Sequence, residues 1–278
     1  MARKLNADRG RVARNLYVIW GFARTEFLRR LAYPGDFWVA PLARLAAAVA
    51  LIGFWNAVYA AGVEPGGMTR EMMLAWAGAA IVISRLVAVD ITEDIAERIR
   101  RGDIVFEVMR PTDFQPQAFG TWAGRTGYTV LVDSLPIVLV IWGIARIGGP
   151  PDVTAFVLSV LSLLLSMVIA FLLTFSVVLI GFWTIQVETW TWLLGRLVQL
   201  SAGFFVPLWL LPDALRDGLQ YLPFAMLYHV PLSTFVGRVE GIEAWRLILV
   251  QVAWVPVLFI ISRWMMREAR RRVLIQGG

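Results

Sequence analysis

The chain has 278 residues, of which 59% are hydrophobic, and its formal net charge is +6 at pH 7. A soluble protein of this length cannot bury so much apolar surface, so the composition predicts an integral membrane protein. The sequence has no cysteine, one histidine and one lysine (Lys4, followed by Leu5), which excludes disulfides, a multi-histidine metal site within one chain and a lysine-containing phosphate loop.

Residues 12–33 are predicted to form an amphipathic helix that lies in the membrane interface. Its apolar residues recur at helical spacing on one face: Val12, Leu16, Trp20, Ala23, Phe27 and Leu31. Arg11, Arg14 and Arg29 fall on the opposite face, and Tyr33-Pro34-Gly35 is expected to end the helix.

Six apolar runs are long enough to predict transmembrane helices, and their continuity favours an all-α membrane fold over a barrel. They are residues 37–60, 72–89, 122–144, 153–183, 192–211 and 247–265. Arginines concentrate near the N-terminus, in residues 90–117 and in the C-terminal tail, which predicts that both termini and residues 90–117 face the cytoplasm. This placement explains the positive charge without nucleic-acid binding. Residues 212–245, interrupted by three prolines, are then expected to dip into the outer leaflet as short helices.

Residues 90–117 carry acids and bases together between two predicted spans, a composition that suits the docking of a soluble partner. Ile91, Ile95 and Ile99 lie four residues apart and form one apolar edge of a short helix. Charged side chains cover the rest of the helix, and a glycine is placed to cap its C-terminus. These residues are Asp94, Glu97, Arg98, Arg101 and Gly102. Either the apolar edge inserts into a groove on a cytoplasmic ATPase, or the helix only packs beneath the spans.

Asp133 is the clearest charge inside a predicted span, and such charges are costly in a bilayer. One interpretation is a structural pair with an arginine of a neighbouring span, the candidates being Arg44, Arg85, Arg125 and Arg196. The other is a proton or cation site.

Nearly the whole chain resembles the ABC-2-type transporter permeases, in particular the six-span bacterial branch that works with a separate ATPase. The resemblance rests on the N-terminal helix ending at Tyr33-Pro34 and on residues 99–104, 108–111, 204–212 and 222–224. The loop from Gly102 to Arg110-Pro111 is the most specific of these segments.

The resemblance implies one transmembrane domain over residues 1–278 and a dimer of permeases, identical or paralogous, bound to two ATPase subunits. The ATP and Mg²⁺ belong to the ATPase, and this chain is expected to hold no cofactor. The inner loop would transmit ATP-driven closure, with Arg110 and Pro111 among its coupling residues. Spans one, two and five would line the pathway, with Trp55, Asn56 and Gln199 as candidate lining residues.

These observations predict the permease of an ATP-driven exporter in a bacterial cytoplasmic membrane, carrying an amphiphilic or hydrophobic substrate. Two alternatives are a self-sufficient secondary transporter that uses Asp133 as its proton site and an intramembrane enzyme that acts on lipid. No paired carboxylates and no nucleophile–base pattern support the enzyme.

Overall fold

The computed structural model describes the backbone of residues 2–32, 39–108, 112–144, 147–184, 186–201, 203–204 and 206–276. Side chains are described for residues 13–32, 42–107, 112–143, 147–184, 186–201, 203–204 and 206–272. Every regular element in these ranges is helical, which confirms the predicted all-α class.

Twelve α-helical segments follow one another in the described parts of the chain. They are α1 (Ala2–Ala32), α2 (Val39–Ala60), α3 (Arg70–Leu86), α4 (Thr92–Arg101), α5 (Ile104–Val108), α6 (Phe114–Thr129), α7 (Leu135–Val138), α8 (Val153–Leu179), α9 (Val187–Ser201), α10 (Asp213–Leu219), α11 (His229–Phe235) and α12 (Gly241–Gln276). Two π-helical segments, Val130–Ser134 and Leu139–Ile144, flank α7, so that α6 continues as one irregular helix to residue 144.

Four helical stretches within the described residues are long and apolar enough to cross a bilayer. They are Leu42–Ala60, Phe114–Gly143, Val153–Phe182 and Gly241–Arg272. The predicted second and fifth spans correspond to α3, with 17 residues, and α9, with 15. At 1.5 Å per residue these helices are about 26 Å and about 23 Å long, shorter than the roughly 30 Å hydrocarbon core.

The boundaries of the predicted spans differ from the structure for local backbone reasons. The predicted fifth span, 192–211, ends early because Gly203 has a left-handed φ of 78° and Pro207 follows. The predicted third span, 122–144, begins eight residues earlier, at Phe114. The predicted sixth span, 247–265, lies within the longer helix α12, which continues through Pro256.

Helix α8 is the centre of the bundle and packs against α11 and α12. The buried side chain of Gln251 on α12 joins three parts of the chain: its Oε1 accepts a hydrogen bond from Ser162 Oγ at 2.9 Å, and its Nε2 donates to Ser166 Oγ and the Met226 carbonyl, both at 3.0 Å. Buried amide and hydroxyl groups of this kind hold transmembrane helices together, because no water is present to satisfy them. The segment that leads into α11 is thereby held on α8, α11 itself is buried against α8, and α10 is exposed.

Helix α1 lies against α6 at unusually close range, because α6 presents glycines spaced four apart, Gly120 and Gly124. A Cβ atom at Gly120 would lie 2.6 Å from the Ile19 carbonyl oxygen, and one at Gly124 would lie 2.3 Å from that of Ala23. The predicted interfacial helix is therefore attached to the bundle by one face. Of its predicted apolar stripe, Leu16, Trp20 and Leu31 are exposed and available to lipid, whereas Ala23 and Phe27 are half-buried against α6.

The π-helical segment around Asp133 has a local cause in the sequence. Pro136 has no backbone N–H, so the carbonyl of Val132 lacks its usual donor four residues later. The chain widens to the π pattern over Val130–Ser134. Segments of this kind are frequent at functional sites. This one carries Asp133, the only acidic residue of the apolar helical stretch Phe114–Gly143.

We predict that Gly124→Ala destabilises the protein, because the new methyl group overlaps the backbone of α1 and forces the two helices apart. The expected cost is about 2 kcal/mol, in the range for overpacked sites, and the measurement is the melting temperature of the purified chain.

Gly127→Ala is the matched control on the same helix. Its Cβ would lie 3.6 Å from the Phe27 ring, which is ordinary contact, so the better helix propensity of alanine leaves stability unchanged or slightly raised. Equal melting temperatures for the two variants would contradict the close approach of α1 and α6.

Candidate functional site

Helix α4 lies where the sequence places the coupling helix, and its isoleucine edge faces the chain's own core. Ile91 and Ile95 are 3% and 5% exposed, and Ile99 is half-buried against Gly181 at the end of α8. This placement favours the alternative in which the isoleucine edge packs beneath the spans, while the coupling role of these residues stays a prediction. They attach α4 to the spans, because burial within the chain already removes them from water.

The exposed face of α4 is polar and carries both signs of charge. Glu97 pairs with Arg101 one turn later, and Arg98 Nη1 bonds Glu107 Oε1 of α5 at 2.5 Å. Arg100 Nη1 lies 3.2 Å from Glu188 Oε1 at the start of α9. Gly102 ends the helix with a left-handed φ of 80°, as predicted from its position. The predicted coupling residues Arg110 and Pro111 lie outside the described residues.

Phe106 on α5 is an exposed aromatic side chain that was not among the residues predicted from the sequence. Its side chain is 73% exposed at the tip of the loop, while Ile104 of the same short helix is 2% exposed and anchors it. Beside it, Glu107 pairs with Arg98 of α4, so the aromatic ring lies next to charges of both signs. In the sequence, the feature that could have indicated Phe106 is its position two residues after Ile104, shortly after the turn at Gly102.

Arg125 of α6 joins α4 to α1. Its Nε donates to Glu26 Oε1 at 2.8 Å, its Nη1 donates to the Asp90 carbonyl at 2.8 Å, and its Nη2 donates to the carboxylate of Asp94. Burial by itself raises the pKa of Glu26, but the hydrogen bonds and positive charges of Arg29 and Arg125 outweigh it and hold that pKa below its ordinary value. Glu26 is therefore ionised at neutral pH. It is the only acid of residues 13–32, which was the signal available for it in the sequence.

A second set of ion pairs continues from Asp90 to the membrane-spanning helices. The Asp90 carboxylate lies 3.6 Å from Arg30 Nη2 of α1 and 3.5 Å from Arg85 Nη2 of α3. Arg85 Nε donates to Asp133 Oδ2 at 3.3 Å, and Arg44 Nη1 of α2 donates to the same oxygen at 2.7 Å. Two of the four candidate arginines thus surround Asp133.

The two sets form one charge network that runs from α4 to α2. It contains four acids and five arginines: Glu26, Asp90, Asp94, Asp133, Arg29, Arg30, Arg44, Arg85 and Arg125. Each acid has at least one arginine partner. Such pairing is required, because a partly buried charge without a counter-ion costs several kcal/mol. Among the described residues, no group of three or more acidic or histidine side chains is placed to hold a metal ion.

A cavity of about 470 Å³ lies beside this network, between α2, α3, α8 and α9. Arg44 and Arg85 of the charge network line this cavity, and so does Gln199 of α9. Gln199 is one of the three predicted lining residues. The other candidate lining residues lie elsewhere. Trp55 is 4% exposed against Trp76, and the Oδ1 of Asn56 accepts a hydrogen bond from Arg70 Nε at 2.8 Å near the far end of α2.

A family model described as ABC-2 family transporter protein matches residues 45–277. No curated protein and no solved structure matches the chain at a significant level.

We predict that Asp133→Asn lowers stability and leaves ATP hydrolysis by the assembled complex largely intact. The amide cannot neutralise Arg44 and Arg85, which lie beside it with limited access to water. The expected loss is about 2 kcal/mol, which for a chain of this size lowers the melting temperature by roughly 5 °C. Melting temperature and ATP hydrolysis are measured on the same preparation.

Asp217→Asn is the control, since Asp217 is exposed and pairs only with Arg216 within the described chain. It should leave both measurements unchanged. An Asp133→Asn variant with wild-type stability and no ATP hydrolysis would contradict the structural role and instead assign Asp133 to the ATP-driven cycle.

Proposed function

The chain belongs to the ABC-2 transporter family, and we propose that it is the membrane permease of an exporter driven by a separate cytoplasmic ATPase. The ATPase would bind ATP and Mg²⁺, and this chain would supply the pathway. The observation that carries the proposal is the surface of α4 and α5, where an exposed phenylalanine lies among charges of both signs.

The docking surface in this proposal consists of Phe106, Glu97, Arg98 and Arg101. An aromatic anchor surrounded by a charged rim is typical of the centre of a protein–protein interface, where a few residues supply most of the binding energy. Ile91, Ile95 and Ile99 act from the other side, by attaching α4 to α8 and α9.

The charge network would carry movement of the docked ATPase into the spans. When α4 shifts, Asp94 moves the Arg125 guanidinium, which is bonded at the same time to α1 and to the segment after α3. From there Asp90, Arg85 and Asp133 lead to Arg44 on α2. A chain of ion pairs between rigid helices is a physical path for such coupling.

A second permease, identical or paralogous, would cover α2 and α9 and complete the pathway. Within the described residues of α9, only the side chain of Val187 is buried, and Leu200 is 78% exposed. On α2, Leu42 and Val49 are 60% and 64% exposed. The cavity between these helices combines Arg44, Arg85 and Gln199 with aliphatic side chains, which suits an amphiphilic substrate.

The proposed topology has six spans, counting the shorter helices α3 and α9, in a bacterial cytoplasmic membrane. Arg272 of α12 stacks on Trp183, and Gly181 beside it contacts Ile99 of α4, so the basic end of α12 and the docking surface lie at one end of the bundle. The arginine bias places that end and both termini in the cytoplasm. Residues 212–245, with α10 and α11, would then lie in or above the outer leaflet.

The proposal predicts that Phe106→Asp weakens binding of the cognate ATPase. Loss of a central aromatic anchor typically costs about 2 kcal/mol, or roughly thirtyfold in the dissociation constant. The melting temperature should not change, because the side chain has few contacts within the chain. Binding is measured between the purified permease and the ATPase.

Ile242→Asp is the matched control, since Ile242 is 90% exposed at the other end of α12. It should bind the ATPase as the wild-type chain does. Wild-type affinity for Phe106→Asp would remove α5 from the docking surface and return α4 to a purely structural role.

A further inference from the structure

A second and larger cavity, of about 870 Å³, is lined by none of the residues of the charge network. It is formed by α1, α6, α8 and α12 and has the size of sites that hold small amphiphilic molecules. Its deeper part is apolar and aromatic, lined by Phe119, Val168, Phe171, Val255 and Phe259. These side chains suit a hydrocarbon chain and offer it no hydrogen-bonding group.

The mouth of the cavity is basic. Asp113 binds both Arg263 and Arg270, the latter through Oδ1 at 3.0 Å, so its single charge is already shared between two arginines. Arg267 lines the same mouth, is exposed, and forms no ion pair with any residue that the structure describes. The three arginines and one aspartate leave a formal charge of +2, which favours an anionic group at this position.

One buried acceptor at the mouth also lacks a partner. Gln115 is 4% exposed; its Nε2 donates to Ser262 Oγ at 2.9 Å, while its Oε1 has no hydrogen-bond donor in the described structure. Buried polar atoms are nearly always satisfied, because a lost hydrogen bond costs about 1–3 kcal/mol. This oxygen therefore points to a ligand that carries a donor close to its negative charge.

We propose that this cavity binds one anionic phospholipid with a hydroxyl-bearing headgroup, of the phosphatidylglycerol type. The phosphate lies against Arg267 and Arg263, a headgroup hydroxyl donates to Gln115 Oε1, and one acyl chain occupies the apolar part between α8 and α12. Trp264, 61% exposed at the mouth, lies at the level where tryptophans meet lipid headgroups. A choline headgroup fits poorly, because it adds a cation to a basic site and has no donor for Gln115.

The test is native mass spectrometry of the full chain in detergent, titrated with phosphatidylglycerol or with phosphatidylcholine of the same acyl chains. We expect the wild-type chain to bind phosphatidylglycerol about tenfold more tightly than phosphatidylcholine, which is the effect of about one charged hydrogen bond. Arg267→Gln should lose that preference. Arg271→Gln, which removes the same charge from the same end of α12 outside the cavity, should keep it.

Gln115→Met tests the hydroxyl contact. It should weaken binding of phosphatidylglycerol but not of phosphatidylmethanol, an anionic phosphodiester whose headgroup has no hydroxyl. Soluble glycerol phosphate should not displace the lipid, since it lacks the acyl chain.

Four results would overturn the proposal. The first is equal affinity of the wild-type chain for the two lipids, and the second is the same loss for Arg271→Gln as for Arg267→Gln, which would indicate nonspecific surface attraction. The third is displacement by glycerol phosphate, and the fourth is an unchanged affinity of Gln115→Met for phosphatidylglycerol.

Discussion

The fold depends most on the guanidinium of Arg125, which is nearly buried and is bonded to three separate parts of the chain. It holds Glu26 on α1, the Asp90 carbonyl after α3 and Asp94 on α4. An arginine in this position is stable only while its partners remain, because an unpaired buried charge costs several kcal/mol. The position of α4, and with it the proposed docking surface, therefore depends on this side chain in addition to the isoleucine contacts with α8 and α9.

Other unusual features of the structure serve this arrangement. Helix α1 approaches α6 closely at Gly120 and Gly124, and this brings Glu26 of α1 within reach of Arg125 of α6. The π-helical segment around Asp133 changes the direction of its carboxylate relative to a regular helix, and the carboxylate meets Arg44 and Arg85. A glycine contact and a widened turn thus place two of the four acids of the network.

The sequence alone predicted the features that depend on local pattern. Long apolar runs gave the helical membrane class, Gly102 was recognised as a helix cap, and the cost of a charge in lipid pointed to arginine partners for Asp133. The sequence did not predict which way α4 faces, because an edge of three isoleucines packs equally well on the chain itself or on a partner. Glu26 and Phe106 were not predicted for a related reason. Glu26 acts through its contact with Arg125, which is distant in the chain, and the exposure of Phe106 depends on how the folded chain packs around α5. The early end of α9 depended on the left-handed backbone at Gly203, which hydropathy does not register.

The central claim is that Arg125 fixes α4 to the membrane-spanning helices, and hydrogen–deuterium exchange of the Arg125→Gln variant tests it most directly. The account predicts that amide exchange in residues 94–101 becomes at least about tenfold faster than in the wild-type chain, since α4 loses its buried ion pair while α11 keeps its contacts with α8. Arg98→Gln, which breaks only an exposed pair with Glu107, should leave that exchange nearly unchanged. Wild-type exchange of α4 in a folded Arg125→Gln variant would contradict the account, because the isoleucine contacts alone would then hold the helix.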